Sequence, residues 1–145
     1  MSFSVDVNIL IYAINRDAPH HRRARIFIES LASKPDTWAF PWPIAHSFIR
    51  ITTHPSILPH PLSARQAVDA IEQFVQLPSV SMVNEISGFW ERYKRDITSL
   101  HLKGNMIPDA LLVNILKAHG ITTLYSRDRD FLKFKGIKAI DPFDE

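Results

Sequence analysis

Three short acidic motifs, far apart in the sequence, contain the residues best suited to chemistry. Asp6 ends an apolar run at the start of the chain, Asp109 begins an apolar stretch, and Asp128 and Asp130 follow a third apolar run. Each is predicted to lie at a strand end or a helix start, positions that converge on one crevice in an open α/β sheet. Converging carboxylates, without cysteine and without a histidine ligand pattern, favour a hard divalent cation, Mg²⁺ or Mn²⁺.

The spacing of these acids also indicates which reaction they could support. Carboxylates at close range cannot all stay ionised without a cation, and a divalent metal removes that conflict. Such a metal lowers the pKa of bound water and polarises a phosphoryl oxygen, which is the chemistry of phosphodiester hydrolysis. Asn8 and Ser126 lie beside the acids in sequence and are candidates to orient them.

Basic residues accompany the last acidic motif. The net charge is only +2, but Arg127, Arg129 and Lys133 surround Asp128 and Asp130. Cations that hold phosphate beside carboxylates that hold a metal would suit a phosphodiester substrate. Such a charge run is explained equally well as a solvated surface. The four glycines form no glycine-rich phosphate loop.

Each acid also has a purely structural explanation. Asp6 is a favourable N-cap, Asp109 favours the positive end of a helix dipole, and Asp128 is typical of a turn. None of these structural explanations requires the three acids to lie at the same edge of one sheet. Their predicted position at one edge therefore favours a shared site.

The length of 145 residues predicts one domain over residues 1–145. The apolar fraction is 46% and the charged fraction 22%, as in ordinary soluble proteins. The absence of cysteine excludes disulfides and thiolate metal sites. No apolar run reaches the length of a membrane span, and the first residues lack a signal-peptide pattern, so a cytoplasmic location is expected.

Apolar periodicity predicts strands that alternate with helices, hence an α/β fold with a mostly parallel sheet of four to five strands. Helices are expected to open at Asp17–Pro19, at a capping box that begins with Ser63, and at Pro108, and the last of these is expected to end at Gly120. The three tryptophans are expected in the core, with Trp42 the best candidate among them to stack on a base.

Four segments in this order carry a family resemblance: Val5–Asn8, Arg50–Pro55, Gly104–Ala110 and Ser126–Phe131. Together they resemble the PIN-domain ribonucleases and, more closely, the toxins of the VapBC type. The resemblance implies a three-layer α/β/α sandwich, Mg²⁺- or Mn²⁺-dependent RNA cleavage, a homodimer, and neutralisation by a cognate antitoxin. By position it assigns Asp6, Asp109 and Asp128 to the metal site, Asn8 and Ser126 to supporting positions, and Asp130 to an additional acid.

One departure from the family pattern concerns the helix after the second strand. The family usually places a glutamate there, but residues 43–50 contain no acid. Ser47 aligns best with the glutamate, and Ala45 or His46 would align if the register shifted. The loss of one carboxylate should weaken metal binding.

Three functions therefore remain open from the sequence. The first is a metal-dependent endoribonuclease toxin with Asp6, Asp109 and Asp128 on the metal and Arg127, Arg129 and Lys133 near RNA phosphates. The second is a catalytically weakened module that binds RNA or a partner protein without cutting. The third is a phosphoryl-transfer domain with Asp6 as nucleophile, although Asn8 then stands where such domains often have a second aspartate.

Overall fold

The protein is described by a computed structural model that covers residues 2–144. Its strands are β1 (Ser2–Val5), β2 (Thr37–Pro41), β3 (Val80–Val83), β4 (Thr123–Tyr125) and β5 (Lys138–Ile140). Its α-helices are α1 (Val7–Ile14), α2 (His21–Ala32), α3 (Trp42–Thr53), α4 (Ala64–Val75), α5 (Phe89–Ser99) and α6 (Met106–Ala118), and a 3₁₀ helix spans Arg129–Lys133. Within the described range, no helix has the length and apolarity needed to cross a membrane.

The strands form one parallel sheet in the order β3-β2-β1-β4-β5. In the central strands β1 and β2 consecutive residues are buried, among them Phe3, Val5, Trp38 and Phe40. Consecutive side chains of a strand point to opposite faces, so both faces of the sheet must be covered. The helices supply that cover: α1 packs on α2 and α3, α3 on α4, and α5 on α6. The predicted three-layer α/β/α architecture is confirmed.

The strand order places a topological switch between β1 and β4. From β1 the chain adds β2 and β3 on one side, and it then returns to add β4 and β5 on the other. Connections that diverge in this way leave a crevice at the carboxyl ends of the two strands. The helix α1 starts directly after β1, and α6, which leads into β4, starts at the same edge because crossover helices run antiparallel to the strands.

The end of α6 sets where β4 begins. The N–H of Ile121 donates to the carbonyl of Leu116 at 2.9 Å, and the N–H of Gly120 donates to Lys117 at 3.0 Å. These two bonds form a Schellman motif, in which the residue after the cap has a left-handed conformation. Gly120 occupies that position with φ of +72°, as the sequence predicted.

Several local expectations are corrected or confirmed. The second helix begins at His21 and not at Asp17–Pro19, where the chain instead makes a turn. The helix α6 begins at Met106, because a proline is tolerated in a first turn whose N–H groups have no helical partner. The capping box at Ser63 is present with both of its hydrogen bonds.

The expectation that all three tryptophans lie in the core is wrong for two of them. Trp38 is fully buried, but Trp42 is 44% and Trp90 62% exposed. Trp42 begins α3 at the carboxyl edge of the sheet, and Trp90 lies on α5, none of whose residues is fully buried. The apolar residues next to Trp90 in the sequence therefore did not show that its side chain is exposed.

Replacing Gly120 by alanine should destabilise the fold by about 1–2 kcal/mol, because an L-residue resists the left-handed conformation. No atom outside its neighbourhood lies within 4 Å of the added Cβ, so backbone strain alone should set the cost. Gly120→Asn should lose less, since asparagine tolerates this conformation. Urea unfolding of both variants would measure the difference; an unchanged Gly120→Ala midpoint would contradict the assignment.

Candidate active site

Asp6 lies at the junction of β1 and α1, where it caps the helix. Its Oδ1 accepts from the N–H of Val7 at 2.7 Å, and its Oδ2 accepts from the hydroxyl of Ser126, also at 2.7 Å. The backbone N–H of Asp6 donates to the carbonyl of Tyr125 at 2.9 Å. A buried carboxylate just 6% exposed is thereby joined to the end of β4.

Burial is the main influence on the pKa of Asp6, and it raises that pKa above the ordinary value of 3.8. The hydrogen bonds from Ser126 and Val7 act in the opposite direction, because they favour the ionised form. The negative charge of Asp128 adds to the increase. Burial and the charge of Asp128 thus oppose the ionised form of Asp6, while two hydrogen-bond donors stabilise that form and fix the orientation of the carboxylate.

The turn after β4 is ordered by a chain of side-chain hydrogen bonds. Ser126 donates to Asp6, and its Oγ in turn accepts from the N–H of Asp128 at 3.0 Å. The Oδ1 of Asp128 accepts from the N–H of Asp130 at 2.9 Å. Ser126 is itself buried, and its N–H donates to Ile140 on β5 at 2.9 Å. The loop acids are therefore fixed relative to Asp6 through one serine.

Asp109, in the first turn of α6, faces these loop acids. One carboxylate oxygen from each of Asp109, Asp128 and Asp130 lies within 4.8 Å of the others. The pKa of Asp109 is raised to about 7, first by burial and then by the charges of Asp128, Asp6 and Asp130. This cluster could hold a cation, since oxygen ligands crowded in this way match the preference of Mg²⁺ and Mn²⁺. Asp6 lies outside this group of three, but its negative charge contributes to the raised pKa of Asp109.

A cavity of about 390 Å³ opens beside Asp6 and Asp109. Its walls come from α3, α5 and α6, and Ser47 is part of them. His46 also lines this cavity, whereas Ala45 does not. The position that aligns best with the family glutamate therefore faces the same space as two of the acids, and it carries a hydroxyl.

Three further residues that the sequence assigned to the site, Asn8, Arg129 and Lys133, have exposed side chains. Asn8 is exposed, and its side chain makes no hydrogen bond within residues 2–144. Arg129 and Lys133 are also exposed, and the Nζ of Lys133 lies 3.7 Å from the sulfur of Met106.

Arg127 is engaged in contacts within the chain. Its Nε donates to Asp141 at 3.1 Å, its guanidinium lies 5.5 Å from the centre of the Phe143 ring, and it contacts the ring nitrogen of His20. Asp141, and Arg50 and Tyr93 in the cavity wall, were not among the site residues predicted from the sequence. No spacing rule links these residues to the acidic motifs, since only the fold brings them together.

Comparisons with known proteins agree with this architecture. The family described as PIN domain matches residues 4–137. Ribonuclease VapC48 of Mycobacterium tuberculosis is 42% identical over 143 residues, which is 99% of each chain. Ribonuclease VapC37 of the same organism is 28% identical over 138 residues, or 95% of each chain.

Solved structures show the same fold at low sequence identity. VapBC-1 from nontypeable Haemophilus influenzae matches with a TM-score of 0.73 and 16% identity, covering 99% of this chain and 100% of that one. VapC20 of Mycobacterium tuberculosis, described as a sarcin-ricin loop cleaving toxin, matches with a TM-score of 0.67 and 17% identity over 90% and 92% of the two chains. By profile match and by full-length identity, the chain belongs to the PIN-domain family and, within it, to the VapC proteins.

Proposed function

We propose that this protein is a metal-dependent endoribonuclease and the toxin of a type II toxin–antitoxin pair. The observation that carries the proposal is the cluster of Asp109, Asp128 and Asp130 beside buried Asp6, in a chain 42% identical to a ribonuclease over its full length. Solved neighbours that are toxin–antitoxin complexes support a cognate antitoxin as partner. A homodimer remains part of the proposal, from the family resemblance.

The donor set fits a hard divalent cation. Asp109 has a pKa of about 7 because burial, and then the negative charges of its neighbours, oppose its ionisation, and a cation would offset the repulsion from those charges. Asp6, Asp109 and Asp128 would hold the ion, with Asp130 as a further oxygen donor. When bound, Mg²⁺ or Mn²⁺ supplies a Lewis acid for the phosphoryl oxygen and a more acidic water.

The chain's own residues prepare this centre for RNA. Ser126 fixes the orientation of Asp6 and the position of the Asp128 backbone with the same oxygen. Exposed Arg129 and Lys133 lie on the turn that carries the acids and would approach phosphates of the RNA. Arg127, in contrast, would act mainly by holding this turn in place through Asp141.

A second candidate function follows from Ser47. No acid occurs in α3, and the hydroxyl of Ser47 lines the cavity where the family usually has a carboxylate. Under this alternative, the site binds RNA or a partner protein without cutting, because the acids that remain without the family glutamate retain the cation too weakly.

Asp109→Asn should lower metal-dependent RNA cleavage by roughly 100-fold or more, because it removes a carboxylate that would hold the cation. Cleavage of a mixed structured RNA would be followed in Mg²⁺ and in Mn²⁺. Asp69→Asn is the matched control, since Asp69 is exposed on α4 and paired with Arg65. Retained cleavage by folded, nuclease-free Asp109→Asn would contradict the proposal.

The pKa of Asp109 predicts how stability depends on pH. Folding raises this pKa from 3.8 to about 7, so the folded chain binds more protons in that window and Asp109 lowers stability progressively as pH rises through it. Without metal, Asp109→Asn should therefore melt higher than the wild type at about pH 8 and show no such gain at about pH 4. Thermal unfolding would measure both.

The same melting experiment tests the metal independently of cleavage. Millimolar Mg²⁺ or Mn²⁺ should raise the Tm of the wild type at alkaline pH, because the ion binds the folded chain only. The increase should be much smaller for Asp109→Asn. Equal increases in both proteins would mean that the ion binds elsewhere.

Ser47→Glu should restore the family carboxylate and lower the metal concentration for half-maximal cleavage by about tenfold or more. Ser47→Gln, with the same length and no charge, is the control and should not have this effect. Cleavage that appears only in Ser47→Glu would favour the non-cutting alternative, whereas cleavage by the wild type would exclude it.

A further inference from the structure

We propose that the cavity beside Asp6 and Asp109 is a subsite for one unstacked base of single-stranded RNA, with Trp42 as its stacking platform. The inference rests on the proposed function, since it places a nucleotide next to the acidic centre. It adds a specificity element built from residues of α3, α5 and α6.

The shape and walls of the cavity suit a base. Its volume of about 390 Å³ lies within the roughly 300–1,000 Å³ typical of small-molecule sites. Trp42, His46 and Tyr93 give it aromatic walls, and Pro43 and Ile107 add apolar surface. Aromatic side chains of this kind hold single-stranded bases by stacking, because every base presents a flat π-face.

Trp42 is exposed and yet held in place, as a stacking platform requires. The ring is 44% exposed, although large aromatic side chains usually avoid such contact with water. Its Nε1 donates to the carboxylate of Glu85 at 3.4 Å, and its ring meets that of His46 nearly edge to face at 5.8 Å. These contacts orient the indole without covering it.

The charges around the cavity match a nucleotide. Arg50 lines the cavity and makes no ion pair within residues 2–144. A phosphate beside the bound base would provide the missing anion. Asp109 belongs both to the cavity and to the acidic cluster, so a base in the cavity places its adjoining phosphodiester at the cluster. A purely apolar side chain from a partner protein would leave Arg50 without an anion.

The test measures RNA binding by Asp109→Asn in the absence of divalent metal, so that no RNA is cut. The probes are a short fluorescent single-stranded RNA of mixed sequence and a series with one abasic nucleotide at successive positions. We expect one abasic position to weaken binding by about tenfold, as the loss of one stacked base does. Adding Trp42→Ala should weaken binding of the intact RNA by a similar factor and abolish the difference between intact and abasic RNA.

Two further variants control for general effects. Trp90→Ala removes the other exposed tryptophan, which lies outside the cavity, and should leave the abasic difference intact. Trp42→Phe should retain most of the binding, because it keeps an aromatic face. Arg50→Gln should reduce the slope of log affinity against log salt by about 0.7, the value for one phosphate contact on a single strand.

The outcomes separate this inference from the proposed function. The subsite would be overturned if an abasic nucleotide weakened RNA binding equally with and without Trp42, or if no abasic position weakened binding. Either result would stand even if the wild type cleaves RNA. A Trp42-dependent abasic loss would establish the subsite even if the wild type does not cleave. Failure of RNA to bind, with an antitoxin peptide bound through Trp42 instead, would assign the cavity to a protein partner and overturn the inference.

Discussion

The site depends on one short hydrogen bond between two strands that are distant in sequence. The hydroxyl of Ser126 donates to buried Asp6 at 2.7 Å and thereby links the end of β4 to the start of α1. Burial alone would favour a neutral Asp6 carboxyl, and the hydrogen bonds from Ser126 and Val7 oppose this by stabilising its charged form. The same oxygen of Ser126 accepts from the backbone of Asp128, so one side chain positions two acids.

Mutual repulsion of the acids is the second constraint. Asp109 has a pKa of about 7 because burial and three neighbouring carboxylates oppose its charge. Repulsion makes this grouping of carboxylates unfavourable without a cation, and a bound cation would offset the repulsion. The fold keeps the carboxylates together because they lie at the carboxyl edge of the sheet. Ser47, which the family resemblance aligns with a glutamate, lines the adjoining cavity and adds no negative charge to this balance.

Much of this arrangement could be predicted because it depends on local rules. Parallel strands show as apolar runs, Ser63 and Gly120 mark helix ends, and Asp6 and Asp128 follow the two strands that flank the switch point. The environments of individual side chains depend on packing and could not be predicted as well. Trp42 and Trp90 lie in apolar sequence yet are exposed, because the packing of α3 and α5, and not the local sequence, determines which of their side chains are covered.

The same limit applies to the partners of the charged residues. Arg127 was expected to face RNA, and its position in the sequence gave no indication that Asp141 and Phe143 would engage it.

That engagement has an evolutionary consequence for the segment after β5. Asp141 touches neither the acidic cluster nor the cavity, but it anchors Arg127, whose neighbour along the chain is Asp128. A change of Asp141 alone would leave the arginine without its anion and loosen the turn, so the two positions should covary among relatives. Selection on the acidic centre would thus extend to a residue that lies outside the acidic cluster.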